Sequence, residues 1–426
     1  VFESLLNAFR APDIRRRILF VLGILIVYRL LAQVPLPGID RQALAEFFKN
    51  NQAFGILDLF AGGGLSQLSI VGLAMNPYIN ASIIMQLMTG VIPSLQALSR
   101  EGEYGRQRLN QYTRYLTVPM ALLQAFGILS ALSAQDVILG GFSLGNAMSW
   151  VQMFSLVGGA VLLMWLGELI TEKGIGNGIS FIIFAGIVSQ APAGVLAALA
   201  APSARDIILF AILAIVAVAV IIYIQEGQRR IPIQYASRVR GRRMYQGGQT
   251  FLPLRVNLAG VIPIIFAISI LAFPGQLAAY FSFSEVTLVK DIALGIGSFL
   301  SPTTIQYSII YFLLTVGFTY FYTAFTFKPD ETAEQLRKNG GFIPGIRPGR
   351  PTQEYLARVV SRITLAGALF LGTVAVAPVL AGVLDSNLSG LAIGGTGLLI
   401  VVSVVVETMK QIEAQLMMRN YEGFIR

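Results

Sequence analysis

Two residue types are missing from the chain altogether, and a third class is scarce. There is no cysteine, so neither a disulfide framework nor a thiolate metal site can be built. There is no histidine, which removes the commonest metal ligand and the commonest general acid or base together, and with them any H-E-x-x-H zinc motif. Charged residues make up only 12% of the chain, against ~25% in an ordinary soluble domain. No G-x-x-x-x-G-K-[ST] run occurs, so there is no P-loop for nucleotide hydrolysis. The run GIGNGIS at 174–180 is glycine-rich, but it joins two apolar stretches where a phosphate loop would join a strand to a helix. Nothing here points to an enzyme, a metal or a cofactor.

What is present is apolar. Of 426 residues, 55% are hydrophobic, and the mean hydropathy is +0.70. Runs long enough for membrane spans fall at 18–34, 78–92, 115–132, 150–169, 179–199, 207–224, 258–280, 303–325, 363–384 and 391–406. The first follows Arg15, Arg16 and Arg17 as a secretory signal's core would, but no small-residue cleavage site precedes Pro35, so it reads as a span. Ten spans make an all-α polytopic membrane protein with both termini on one side. That side receives Arg10, Arg15, Arg16, Arg17, Arg100, Arg106, Arg108, Arg114, Lys173, two long basic loops, Lys410, Arg419 and Arg426; the other receives Arg41, Lys49, Arg205 and Lys290. By the positive-inside rule both ends are cytoplasmic, and topology accounts for the sequence pI near 9.8.

The stretch 61–92, AGGGLSQLSIVGLAMNPYINASIIMQLMTGVI, organises the rest. Its first part, 61–74, is apolar but shorter than the ~20 residues a spanning helix needs. Gly62, Gly63, Gly64 and Gly72 loosen it further, each at ~1 kcal/mol against alanine in a helix. Asn76-Pro77 then breaks the chain, and a second helix follows with Ile79 and Ile83 one turn apart on one face. A half-span before a fuller span is a discontinuous element, tolerated at membrane depth only inside protein or along a watery path. The spans hold almost no carboxylates: Glu168 and Glu407 lie at or near cytoplasmic ends. That counts against an ion-coupled secondary transporter, which keeps ionisable groups at the midplane, and against an intramembrane protease, for which no nucleophile–base pair exists. An uncharged, isoleucine-rich centre instead suits a waist that closes by excluding water.

Ten spans divide at 191–202 into two sets of five, 1–200 and 201–426. An odd number per half inverts the second half relative to the first. Two cytoplasmic loops stand out, 225–257 and 327–362. The first carries Arg229, Arg230, Arg238, Arg240, Arg242, Arg243 and Arg255 against Glu226, with prolines and glycines that suggest hairpin turns. As wholes the loops suit docking of a large acidic partner, RNA-rich or protein.

The runs MNPYINASIIMQL (75–87), ITEKGIGNGISF (170–181), NLAGVIPIIFA (257–267), GGFIPGIRPG (340–349) and EAQLMMRNYEGF (413–424) resemble, in order and across nearly the whole chain, the SecY family, the channel subunits of the bacterial protein translocon. The resemblance implies a hydrolytically passive channel in the bacterial plasma membrane, two inverted five-helix halves that open sideways toward lipid. Its plug would be a short re-entrant helix at 61–74, including Gly62, Gly63, Gly64, Leu65, Leu68, Ile70 and Gly72. Its pore ring would be Ile79, Ile83, Ile179, Ile183, Ile265 and Ile400, with Ile182 the neighbouring alternative to Ile179. Spans two and three would meet seven and eight at a lateral gate carrying Asn80 and Gln86. The loops, through Arg242, Arg243 and Arg347, would dock the ribosome and the SecA ATPase. SecE would clamp the halves and SecG bind peripherally, while signal peptides, translocating polypeptides and membrane lipids would occupy pore and gate.

Overall fold

The computed structural model describes residues 11–50, 58, 62–199, 204–235, 238–240, 243–245, 248–281, 287–301, 304–384 and 394–425. In chain order the helices are α1 (Pro12–Ala32), α2 (Arg41–Asn50), α3 (Asn76–Val91), α4 (Pro93–Ser99), α5 (Glu103–Ser133), α6 (Ala147–Lys173), α7 (Gly178–Leu199) and α8 (Ala204–Glu226). Strands β1 (Gln228–Tyr235), β2 (Arg238–Arg240), β3 (Arg243–Tyr245) and β4 (Gln249–Arg255) follow. Then come α9 (Ile262–Phe281), α10 (Thr287–Phe299), α11 (Ile305–Thr326), α12 (Pro329–Lys338), β5 (Gly341–Phe342), α13 (Arg350–Leu384) and α14 (Gly394–Ile425). The ten expected spans each fall on one helix: α1, α3, α5, α6, α7, α8, α9, α11, α13 and α14. Among the described residues α5, α6, α13 and the run from α11 into α12 are each long and apolar enough to cross a bilayer unaided, and α3 with α4 forms a pair bent by 103°.

Proline sets several of the boundaries. The residue before a proline is pushed out of the helical region, and Ala11, Ile92 and Lys328 all sit extended immediately before Pro12, Pro93 and Pro329. Pro77, expected to break the chain between two helices, instead stands in the first turn of α3, where its missing N–H costs nothing. The re-entrant helix expected at 61–74 differs too. Over 62–75 the chain runs as consecutive turns, because Gly62, Gly63, Leu68 and Ala74 all take positive φ, which a right-handed helix excludes.

The spans pack into a closed ring. Helix α6 touches α5 and α7, α5 touches α3, and both α3 and α5 touch α9; α9 then leads through α11 and α13 to α14, which returns to α7. Two seams therefore join the first five spans to the last five, α3 and α5 with α9 on one side and α7 with α14 on the other. One large apolar cluster occupies the ring's centre and draws on almost every span. A second cluster fills the space between 36–47, the turn segment, α5 and α6.

Outside the ring, the two basic loops form one lobe. Strand β1 is central in a three-stranded antiparallel sheet ordered β4-β1-β5, with Gln228 opposite Arg255 and Gln234 opposite both Gln249 and Phe342. Alternation along β1 turns Ile231 and Ile233 inward onto Leu336, Ile343 and Leu356. The loops at 225–257 and 327–362 thus share a core.

Leu356 is fully buried there. Leu356→Ala should cost ~2–5 kcal/mol through lost contacts and an uncollapsed cavity. Limited trypsin digestion should cut the lobe at Arg229, Arg230 and Lys338 sooner in the variant, with the fragments from α5 and α6 unchanged; equal cutting rates would mean that the loops are held independently.

Candidate functional site

Helical spacing does most of the assembly at the ring's centre. Ile79 and Ile83 lie four residues apart on α3, as do Ile179 and Ile183 on α7, so each pair shares a face. With Ile265 from α9 and Ile400 from α14 they belong to the central cluster, five of them buried and Ile179 half-buried at its edge. Ile182 is buried as well, but its Cδ1 lies toward α6, 3.3 Å from where a Cβ on Gly167 would stand, so Ile179 is the residue that shares the face of Ile183. All six expected isoleucines are therefore brought together. Their side chains offer no donor, acceptor or charge.

The turn segment lies against this cluster, contributing Val71 and Met75 to it. Irregular backbone needs partners for its polar groups when water is excluded. Asp58 supplies several. Its Oδ1 accepts from the backbone N–H of Leu65 at 2.9 Å and of Ser66 at 2.8 Å. Its carbonyl oxygen accepts from Gly63 N–H at 3.1 Å and from the Gln190 side chain of α7 at 3.0 Å. Arg29 of α1 donates to the Gly62 carbonyl at 2.8 Å, and Ser189 of α7 reaches the same oxygen at 3.4 Å. Ser69 N–H closes onto the Gly64 carbonyl at 2.8 Å. Farther on, Leu36 N–H donates to Leu68 O at 2.9 Å and Ile70 N–H to Val34 O at 3.0 Å, while Gly72 N–H bonds Ser69 O.

Close approach explains two of the glycines. A Cβ on Gly62 would stand 2.6 Å from the Gly186 backbone and 2.7 Å from the Tyr28 hydroxyl. A Cβ on Gly159 of α6 would stand 1.9 Å from the Ile70 carbonyl, so that glycine lets the segment settle on α6. Leu65 and Leu68 are buried, Gly63 takes φ +79°, and Leu68 and Ala74 are left-handed without being glycine. Such backbone costs ~1–3 kcal/mol per residue, a cost borne by the surrounding packing. Sequence reading missed Asp58, Arg29 and Gln190. The available signals were a lone acid ahead of a glycine run and an arginine inside the first apolar span. Burial pushes the Asp58 carboxyl above its ordinary range, opposed by hydrogen bonds from Ser66, Leu65 and Gln190.

Asn80 is buried on α3. Gln86, on the same helix, donates to Ser82 Oγ at 3.2 Å, and its Oε1 finds no partner among the described residues; Gln124 Nε2 of α5 is in the same condition. Thr113 and Thr117 of α5 bond carbonyls one turn back at 3.0 and 2.8 Å. Polar groups thus line the region where α3 and α5 pack, with α9 beside both and Phe321 of α11 near Gly90. Glu168 is paired with Arg114 at 2.7 Å, so it is no free intramembrane acid. No group of acids that could hold a metal occurs among the described residues.

On the lobe, Arg347 is exposed in the turn between β5 and α13, a turn bent by Gly345 and Gly349 at φ +80° and +107°. Its carbonyl accepts from Thr352 Oγ1 at 2.9 Å. Arg243 lies on β3 opposite Arg240, and Arg242 falls outside the described residues.

A family model described as SecY matches residues 69–409. The Protein translocase subunit SecY of Mycobacterium tuberculosis H37Rv is 44% identical over 443 residues, covering 100% of both chains. Among solved structures, a SecY protein whose plug domain is described as stabilising the closed state of the translocation channel is 19% identical, with a TM-score of 0.68 over 93% of this chain and 91% of that one. Sec61 in the canine ribosome–channel complex from the endoplasmic reticulum gives a TM-score of 0.59 at the same identity and coverage.

Removing the Asp58 carboxylate tests whether it holds the turn segment. Asp58→Ala leaves two backbone donors without their acceptor, at ~1–3 kcal/mol each where buried, whereas Asp58→Asn keeps an oxygen in place. Hydrogen exchange at residues 62–75 should accelerate in the alanine variant and return most of the way in the asparagine one. Equal protection in all three proteins would show that packing alone holds the segment.

Proposed function

The chain belongs to the SecY family, and from that premise we propose how this protein-conducting channel works through its own residues. The channel conducts protein across a membrane; it is neither an enzyme nor a solute transporter. The observation that carries the reading is the central cluster, in which isoleucines from four helices meet the turn segment.

Ile79, Ile83, Ile179, Ile183, Ile265 and Ile400 form the pore ring. An apolar constriction holds water out at rest and makes no sequence-specific bond with an unfolded chain passing through. The plug is the turn segment with Gly62, Gly63, Gly64, Leu65, Leu68, Ile70 and Gly72. The halves are 1–200 and 201–426, meeting at the two seams. The seam of α3 and α5 with α9 and α11 is the lateral gate, and buried Asn80 and Gln86 set its polarity. Signal peptides and apolar segments leave there by partitioning into lipid.

The lobe docks the force-generating partners. Exposed Arg347 is supported as a contact by its position on a turn braced at Gly345, Gly349 and Thr352; Arg242 and Arg243 are the further proposed contacts. The ribosome is supported by the fold shared with the ribosome-bound channel. SecA, with SecE as a clamp and SecG as a peripheral subunit, completes the proposed assembly in the bacterial plasma membrane, both termini cytoplasmic.

The deciding experiment is protease protection of a secretory precursor added to vesicles containing this chain, SecE, SecA and ATP. Protection requiring both SecA and ATP is expected; uptake of a small solute down an ion gradient without protection would overturn the assignment. Two variants assign roles. Replacing Ile83 and Ile183 together with Ser should make the resting channel conduct ions in planar bilayers, and unchanged conductance would remove them from the seal. Arg347→Glu should abolish SecA-driven protection while assembly with SecE stays normal; full export by that variant would end the docking role of the turn.

A further inference from the structure

Helix α10 has no place among the spans. Its 13 residues reach ~20 Å, short of the ~30 Å hydrocarbon core. It also sits on the side away from the β-lobe, since α9 leaves that lobe after β4 and α11 returns toward β5. Both of its ends are tied to spans. Residue 281 closes α9 and residue 305 opens α11, so the linkers on either side of α10 hold only a few residues each.

One face of α10 is spoken for. Ala293 is buried and Val289 half-buried, and the helix packs against α9. A second face is not. Leu288, Ile292, Ile296 and Phe299 are 68%, 56%, 40% and 51% exposed, and their spacing of four, four and three gathers them into one stripe. Lys290, Leu294 and Asp291 lie on the remaining arc, all exposed, Leu294 by 51%. We propose that α10 is a membrane-surface helix whose apolar stripe lies in the acyl boundary of the leaflet opposite the β-lobe, tethering that end of α9 to the lipid.

One observation selects lipid as the occupant over a protein surface. The exposed stripe of α11, Ile305, Ile309 and Leu313, begins where α10 ends, so the apolar face of α10 continues a lipid-facing surface. A short helix with an exposed apolar stripe and its charged residues gathered on another arc is the form that lies in the membrane interface. The inference rests on the membrane location of the spans alone and is independent of the roles given to ring and plug.

Because the chain has no cysteine, single substitutions report without background. Nitroxide labels on Lys290→Cys, Ile292→Cys and Ile296→Cys would be read in the full chain with its co-purified subunits, in phosphatidylglycerol–phosphatidylethanolamine vesicles. The readout is relaxation by oxygen, which concentrates in lipid, against a water-soluble nickel chelate. The expected result is an oxygen-to-nickel ratio several-fold higher at 292 and 296 than at 290. Nickel access at 292 and 296 equal to that at 290 would place the helix in water and overturn the proposal. Exclusion of both reagents at those two positions would overturn it differently, by showing a protein cover from another subunit or a second copy.

Discussion

Hydrocarbon offers no hydrogen bonds, and the rest of this structure depends on that. Every backbone N–H and C=O at membrane depth must find its partner inside the protein. Helices meet the condition residue by residue, which is why the apolar runs become helices. The segment at 62–75 cannot meet it that way, because its left-handed residues interrupt any helical ladder. It survives by borrowing partners: Arg29 from α1, Ser189 and Gln190 from α7, and the backbone around Val34 and Leu36. Every lender belongs to the first five spans and their connections, so the directed bonds tie the segment to that half of the ring.

The centre of the ring follows a complementary logic. Six isoleucines meet there through dispersion contacts, which are individually weak and undirected and fix no particular geometry. In the pore ring proposed above, such contacts suit a seal that re-forms around chains of different composition. Directed bonds are kept instead for the segment that must sit in one place, and polar side chains for the packing of α3 on α5. The two kinds of interaction therefore divide the work of closing the centre.

Much of this was legible in the sequence. Ten apolar runs mark ten helices, and the four-residue spacing of Ile79 with Ile83 and of Ile179 with Ile183 already puts each pair on one face. What was not legible depends on long-range pairing or on competing local signals. The four glycines of 62–72 announce weak helix, yet the left-handed turns of Leu68 and Ala74 come from packing that no local pattern records. Gln190 and Asp58 meet only after the chain has traversed several spans. Likewise, Gln234 pairs with Phe342, and nothing near either residue names the other. Helix α10 was passed over because its stripe is too short to register as a span and too apolar to register as a loop.

The shared sheet of the lobe has a mechanical meaning. Helix α8 runs into β1, β4 runs into α9, α11 leads through α12 into β5, and β5 is followed by α13. Four membrane helices are rooted in one small plate, all from the last five spans. A force applied anywhere on that plate reaches those roots together, as a torque on one side of the ring. The fifth of those spans, α14, is tied across to the first half instead, where its Ile412 packs with Ala11 and Ile14 at the α1 start and with Ile175. In the proposed docking role the lobe is thus a handle fixed to the last five spans, with the contact between α14 and the α1 start as its tie to the other half.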